Sequence, residues 1–183
     1  MKTLVIHPLD GSTQFLEITY QDIKDKTVIT GGISKYEVMK LIESHDRVML
    51  MGHGSPFGLF SMGRFENTLN GYIIDQTTVE VLSKKSNVVY IWCNADQFVN
   101  RFDLKGFYSG MFISEVGEAN YCGVYGTNQS IVDESNYGFV KIVGESINNE
   151  LETVYDTVKS QYGELIETNK VAKYNQTRLY FKN

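Results

Sequence analysis

Only two cysteines, Cys93 and Cys122, occur in the 183 residues of this chain. Two do not make the disulfide framework of a small secreted domain, so both are expected as free thiols in a reducing, cytoplasmic setting. Proline is equally scarce, at Pro8 and Pro56 alone. With no repeat, linker or low-complexity tract, one domain over residues 1–183 is expected, long enough to bury a sizeable core. No apolar run approaches the roughly 18 residues of a membrane span. The opening Met1-Lys2-Thr3-Leu4-Val5-Ile6-His7-Pro8 is apolar for three residues only, too short for a signal peptide. Positive charge is not in excess either. The formal net charge is −5, which argues against a face that neutralises nucleic-acid phosphates. Neither membrane nor nucleic acid is therefore an expected partner, and the oligomeric state is left open.

Several catalytic signatures are also missing. There is no G-x-S-x-G elbow and no phosphate loop. Pro8-Leu9-Asp10-Gly11 stands where a dinucleotide fingerprint would follow the first strand. His7, His45, His53, Cys93 and Cys122 lack C-x-x-C or H-x-x-x-H spacing, so no metal site is expected.

What is present alternates. Residues 2–7, 27–30, 47–52 and 88–92 read as strands, the last two apolar at nearly every position, as in strands covered on both faces. Ser34-Lys35-Tyr36-Glu37 is a capping box, followed by Val38, Leu41 and Ile42 at helical spacing, with an end near Ser44-His45-Asp46. Thr77-Thr78-Val79-Glu80 reads as a second capping box opening a helix to about Lys84. Residues 15–20 fit a short extended segment or a helical turn. Residues 54–74 read as a long loop with a hairpin of 59–60 against 72–74. Residues 110–114 fit a fifth strand or a buried helix start. Helical stripes follow at Tyr137–Ile147 and Leu151–Tyr162, then an edge strand at 177–181. Such alternation predicts an α/β three-layer sandwich with a mostly parallel sheet. Sites in such sheets lie outside the carboxyl ends of the strands.

Two strand ends carry reactive side chains. One strand runs into Gly52-His53-Gly54, the other into Trp92-Cys93. Parallel crossovers tend to set consecutive strands side by side, about 4.8 Å apart, so His53 and Cys93 are candidates for a nucleophile–base pair. The thiolate is the nucleophile, and a neighbouring imidazole takes the thiol proton or stabilises the anion. Glycines beside His53 permit close backbone approach and leave an N–H for an oxyanion. Asp10, Asp96 and Glu115 follow strand ends on the same rim. An acidic pocket built from them would favour Arg or Lys in a substrate by charge pairing. Trp92 is expected in the core, Cys122 as a packed thiol, and His45 at a helix C-terminus where a cation suits the dipole.

A strand ending in His-Gly, followed about 40 residues later by a strand ending in Cys, resembles the caspase-like cysteine peptidases, the superfamily of caspases, metacaspases, gingipains, legumains, clostripain and separase. The resemblance spans roughly residues 1–126 and is specific at Gly52-His53-Gly54 and Trp92-Cys93. It implies a caspase-like fold and endopeptidase activity on a peptide or protein substrate without a cofactor. It further implies His53 and Cys93 as the catalytic dyad, and the backbone N–H groups of Gly54 and Cys93 as the oxyanion hole. After Cys93 stands Asn94-Ala95-Asp96, where several branches carry Arg-Gly or Ser-Gly. This departure favours a second reading, a catalytically inactive α/β binding or regulatory module on the same fold. A nucleotide-binding flavodoxin-like domain is a third. Thiol chemistry separates the first two, since a dyad cysteine alkylates quickly below pH 7 and a buried structural one does not.

Overall fold

The apolar runs pair side by side in a computed structural model that describes residues 1–66, 68 and 71–183. The strands are β1 (Thr3–Ile6), β2 (Lys26–Ile29), β3 (Arg47–Met51), β4 (Gly54–Ser55), β5 (Gly58–Phe60), β6 (Tyr72–Ile74), β7 (Val88–Ile91), β8 (Gly106–Ser109) and β9 (Leu179–Lys182). The helices are α1 (Lys35–Ser44), α2 (Val79–Leu82), α3 (Ala95–Arg101), α4 (Val116–Tyr121), α5 (Gln129–Ser146), α6 (Leu151–Gln161) and α7 (Lys170–Gln176). Six strands form the central sheet in the order β2-β1-β3-β7-β8-β9, parallel except for β9, which runs antiparallel to β8. A small antiparallel sheet, β4-β5-β6, follows β3.

The apolar runs in the strands have a direct cause. Val5, Met49, Met51, Val89, Ile91 and Phe107 enter one core, packed against α5, α6 and a 3-10 helix at Gln14–Thr19. Their neighbours Leu4, Ile6, Val48, Leu50, Val88 and Tyr90 enter a second core on the opposite face, with α1, α2, α3 and the small sheet. Both faces being covered, alternation has no solvent side to favour polar residues. The result is a three-layer α/β sandwich. None of its described helices is long and apolar enough to cross a membrane.

Several local expectations change. The Ser34 box forms as read, with Glu37 N–H donating to Ser34 Oγ and Ser34 N–H to Glu37. The second box does not start at Thr77. Asp75 is the cap, accepting from Thr77 N–H at 2.9 Å while also pairing with Lys35. A 3-10 turn at Gln76–Thr78 then precedes a helix of one turn ending at Leu82, short of Lys84. Residues 110–114 are neither strand nor helix; the fifth strand of the large sheet is Gly106–Ser109. The hairpin of 59–60 against 72–74 is present with β4 added beside it, while part of the expected loop, residues 67, 69 and 70, lies outside the described residues.

At the start of β3, the end of the sheet opposite the strand carboxyl ends, Arg47 is 1% exposed. Its guanidinium donates to Asn87 Oδ1, to Ile147 O and to Asn149 O. It thereby ties the start of β3 to the unpaired carbonyls after α5, where a cation also suits the helix dipole. Arg47→Met removes these donors and leaves the buried Ile147 carbonyl without its partner. It is expected to lower unfolding free energy by about 3 kcal/mol, read as a shift in the urea midpoint.

Candidate active site at the strand ends

Met51 and Ile91 are directly paired in the parallel β3–β7 ladder. His53 and Cys93 each lie two residues beyond that pair, so the two side chains leave adjacent strands at the same level. Both line one small cavity of about 30 Å³, room for about a single water. No hydrogen bond joins them among the described residues; each is held elsewhere.

His53 is fixed from the β1 side. Its Nε2 lies 2.7 Å from Ser12 Oγ and 3.1 Å from Asp10 Oδ2. Asp10 in turn caps its own turn: Oδ1 accepts from Ser12 N–H at 2.9 Å, Ser12 Oγ at 2.8 Å and Thr13 N–H at 3.1 Å. Burial pushes the Asp10 carboxyl up, but the Ser12 hydroxyl, the nearby His53 and these N–H donors outweigh it and hold Asp10 below the usual carboxylate range. The carboxylate is thus an orienting partner for the imidazole, and Nδ1 is left as the nitrogen facing other chemistry.

The backbone around His53 is equally constrained. Gly52 has φ +136°, a region side-chain-bearing residues rarely occupy. His53 O accepts from Phe60 N–H at 2.9 Å, which makes Gly54–Leu59 the non-hydrogen-bonded couple of the β4–β5 ladder. Since β4 is an edge strand, the Gly54 N–H is left on the open side. Gly54 has a second reason to be glycine. A Cβ there would lie 2.2 Å from Trp92 Cδ1, because the indole packs directly on this residue and donates Nε1–H to Ser55 O.

Cys93 occupies the turn between β7 and α3. Asn94 follows in the left-handed region at φ +66°, which asparagine tolerates better than most residues. Ala95 N–H to Trp92 O closes the turn, and the Asn94 N–H ties it to Gly110 O after β8. The Cys93 thiol has one proton and two acceptors near it, Phe112 O at 3.5 Å and Glu118 Oε1 at 3.6 Å. Burial, then the Glu118 carboxylate, push its pKa up to about 12. Glu118 is itself pinned, its Oε2 accepting from Ser114 N–H at 2.7 Å, Ser114 Oγ at 2.9 Å and Glu115 N–H at 3.1 Å. The thiol is therefore at rest in this structure, protonated and turned toward α4. This revises the fast alkylation expected of a dyad cysteine. At a pKa of about 12 the thiolate fraction at pH 7 is about a thousandfold below that of a free cysteine.

His7 supports the Asp10 turn from beneath. It is fully buried, with Nδ1 2.9 Å from Tyr20 Oη and Nε2 3.3 Å from Thr13 Oγ1. Burial lowers its pKa from 6.5 to about 4. The unfolded chain then binds the extra proton first, so this contribution to stability is complete above about pH 6.5 and is lost as pH falls toward 4. The expected loss is about 3 kcal/mol over that window. Urea unfolding at pH 7 and pH 4.5 measures it, and His7→Gln is expected to flatten the difference.

The acidic rim is redistributed. Asp10 is engaged by His53, so it is not available to a substrate cation. Asp96, in the first turn of α3, packs toward Gly110, near Arg178, and burial raises its pKa. It lines neither the cavity shared by His53 and Cys93 nor the wider cleft beside it. Only Glu115 stands at that cleft, together with Asp133, which sequence reading passed over. Trp92 is in the core. Cys122 packs beside Ile113, Ala119 and Val132, with no disulfide to Cys93. His45 lies 2.7 Å from Leu41 O at the end of α1. Among the described residues no group of three or more His, Cys, Asp or Glu is placed to hold a metal.

Ser12 and Glu118 were also unread in the sequence. For Ser12 a signal existed: Asp10-Gly11-Ser12-Thr13, a few residues after β1, is an Asx-turn pattern. Glu118 gave none, because its contact with Cys93 spans 25 residues. Comparison with protein-family models, curated proteins and solved structures returned no match to this chain.

Proposed function

We propose that this chain is a caspase-like cysteine endopeptidase whose dyad is His53 and Cys93. The observation that carries the reading is the matched placement of the two residues beyond the Met51–Ile91 pair, facing one cavity, with His53 already oriented by Asp10 and Ser12. In the reaction, the Cys93 thiol turns from Glu118 toward His53 and gives its proton to Nδ1. The sulfur attacks the scissile carbonyl, and the N–H groups of Gly54 and Cys93 receive the oxyanion. His53 returns the proton to the leaving amine as the C–N bond breaks. Water, deprotonated by the same imidazole, then hydrolyses the thioester and frees Cys93. Asp10 stabilises the imidazolium throughout, the role of the third group in a triad. The test is cleavage of a diverse peptide library by the wild-type protein against Cys93→Ala. Cleavage that survives in Cys93→Ala removes the reading.

A second reading, an inactive module on this fold, is favoured by the partly buried, carboxylate-bound state of the thiol. It predicts no cleavage of any peptide and no gain in Cys93 reactivity when peptides are added.

A further inference from the structure

The proposed reaction gives no role to the second cysteine, yet Cys122 stands close to the first. It ends α4, and its N–H donates to Glu118 O at 2.8 Å, so the helical register holds from Glu118 to Cys122. Residues four apart lie on one face of a helix. The Glu118 carboxylate on that face lies 3.6 Å from the Cys93 sulfur. The other acceptor near that sulfur is Phe112 O at 3.5 Å, and Cys122 packs beside the next residue, Ile113. Cys122 thus borders the Cys93 thiol through both of its neighbours, one helical turn beyond the carboxylate.

The surroundings leave both sulfurs within reach of a reagent. Both cysteines are only partly buried, and both are free thiols. Tyr121, just before Cys122, is 86% exposed, so solvent reaches this end of α4. A charge on Cys122 also adds, after burial and Glu118, to the upward push on the Cys93 pKa, which accords with the two sulfurs being close. A disulfide needs its Cα atoms within about 7 Å. Any approach this requires is made by the end of a helix of six residues and not by the sheet.

We propose that Cys122 is a resolving cysteine, which forms a reversible disulfide with Cys93 under oxidising conditions. The co-reactant is a low-molecular-weight disulfide such as oxidised glutathione. The Cys122 thiolate attacks one of its sulfurs, the S–S bond breaks, and one glutathione leaves as a thiolate and takes up a proton. Cys93 then turns from Glu118, gives up its proton and attacks the Cys122 sulfur of the mixed disulfide. The second glutathione leaves and takes that proton. Two protein thiols are oxidised, and one small disulfide is reduced to two thiols. That the bond silences catalysis rests on the peptidase reading; that it forms does not.

The experiment equilibrates wild-type and Cys122→Ser protein in a buffer of reduced and oxidised glutathione. The samples are quenched with N-ethylmaleimide, and tryptic peptides are mapped by mass spectrometry without reduction. Arg101 and Lys105 lie between the two cysteines, so trypsin leaves them on different peptides unless a bond joins them. Wild type is expected to yield one cross-linked pair that dithiothreitol splits, and this map decides the matter even if the variant folds poorly. In Cys122→Ser, Cys93 is expected to be at least about tenfold less oxidised in the same buffer, since its partner is then free glutathione and not a thiol held beside it. Glutathione on both cysteines with no cross-link, a cross-link between two chains, or equal oxidation of Cys93 in the two proteins overturns the proposal. A cross-link in a protein whose reduced state cleaves no peptide counts against the peptidase reading and leaves the disulfide standing. Cleavage by the reduced protein with no cross-link does the reverse.

Discussion

His53→Ala is expected to lower kcat/KM for peptide cleavage by about 10⁴-fold, because it removes both the base that ionises Cys93 and the acid that protonates the leaving amine. The companion change Asp10→Asn is expected to be milder, about 10- to 100-fold in kcat, since the imidazole keeps one hydroxyl partner in Ser12. The two variants differ in kind. His53→Ala deletes a group that touches the reacting atoms. Asp10→Asn removes an anion 3.1 Å from Nε2, so the imidazolium formed during the reaction loses its stabilising charge. Asp10→Asn is therefore expected to lower kcat and to leave KM unchanged. An Asp10→Asn enzyme with a wild-type kcat would show that the carboxylate serves the turn alone.

Glu118→Gln is expected to raise the rate of Cys93 alkylation by iodoacetamide at pH 7.5 by about tenfold, against a slow wild-type background. The argument is electrostatic. A carboxylate 3.6 Å from the sulfur opposes formation of the thiolate, and an amide at the same place does not. The larger cause of the raised thiol pKa is burial, which the substitution leaves in place, so recovery is partial. Mass spectrometry of the labelled peptides separates Cys93 from Cys122. Alkylation of Cys93 that is no faster in Glu118→Gln than in wild type would mean that burial alone holds the thiol at rest. The same geometry explains why this residue matters to the proposed reaction. Glu118 is tied by three donors to Ser114 and Glu115, two residues that line the neighbouring cleft.

The strands of the central sheet were legible where burial on both faces leaves no polar alternation, as at 48–51 and 88–91. The fifth strand was not. Gly106-Phe107-Tyr108-Ser109 has two apolar residues, whereas the apolar run that drew attention, 110–114, forms the irregular segment carrying Phe112 O to the thiol. α3 was missed as well. Its Asp96, Gln97, Asn100 and Arg101 dilute the helical stripe, and Ala95, Phe98 and Val99 alone are buried, Phe98 against Trp92. The pairing of strand ends at 53 and 93 was read correctly as proximity in the fold, because parallel connectivity places consecutive strands side by side.

By itself the sequence determined which residues end the strands and which segments must be covered on both faces. Those are local properties of hydrophobic run length, capping chemistry and glycine placement, and they lie within a few residues of each other. What acts on the two reactive side chains was decided only by tertiary structure. Asp10 and Ser12 reach His53 across more than 40 residues, Glu118 reaches Cys93 across 25, and Asn136 meets Ser114 across 22. No pattern of neighbours along the chain encodes those distances; they follow from the order in which six strands and their helices pack.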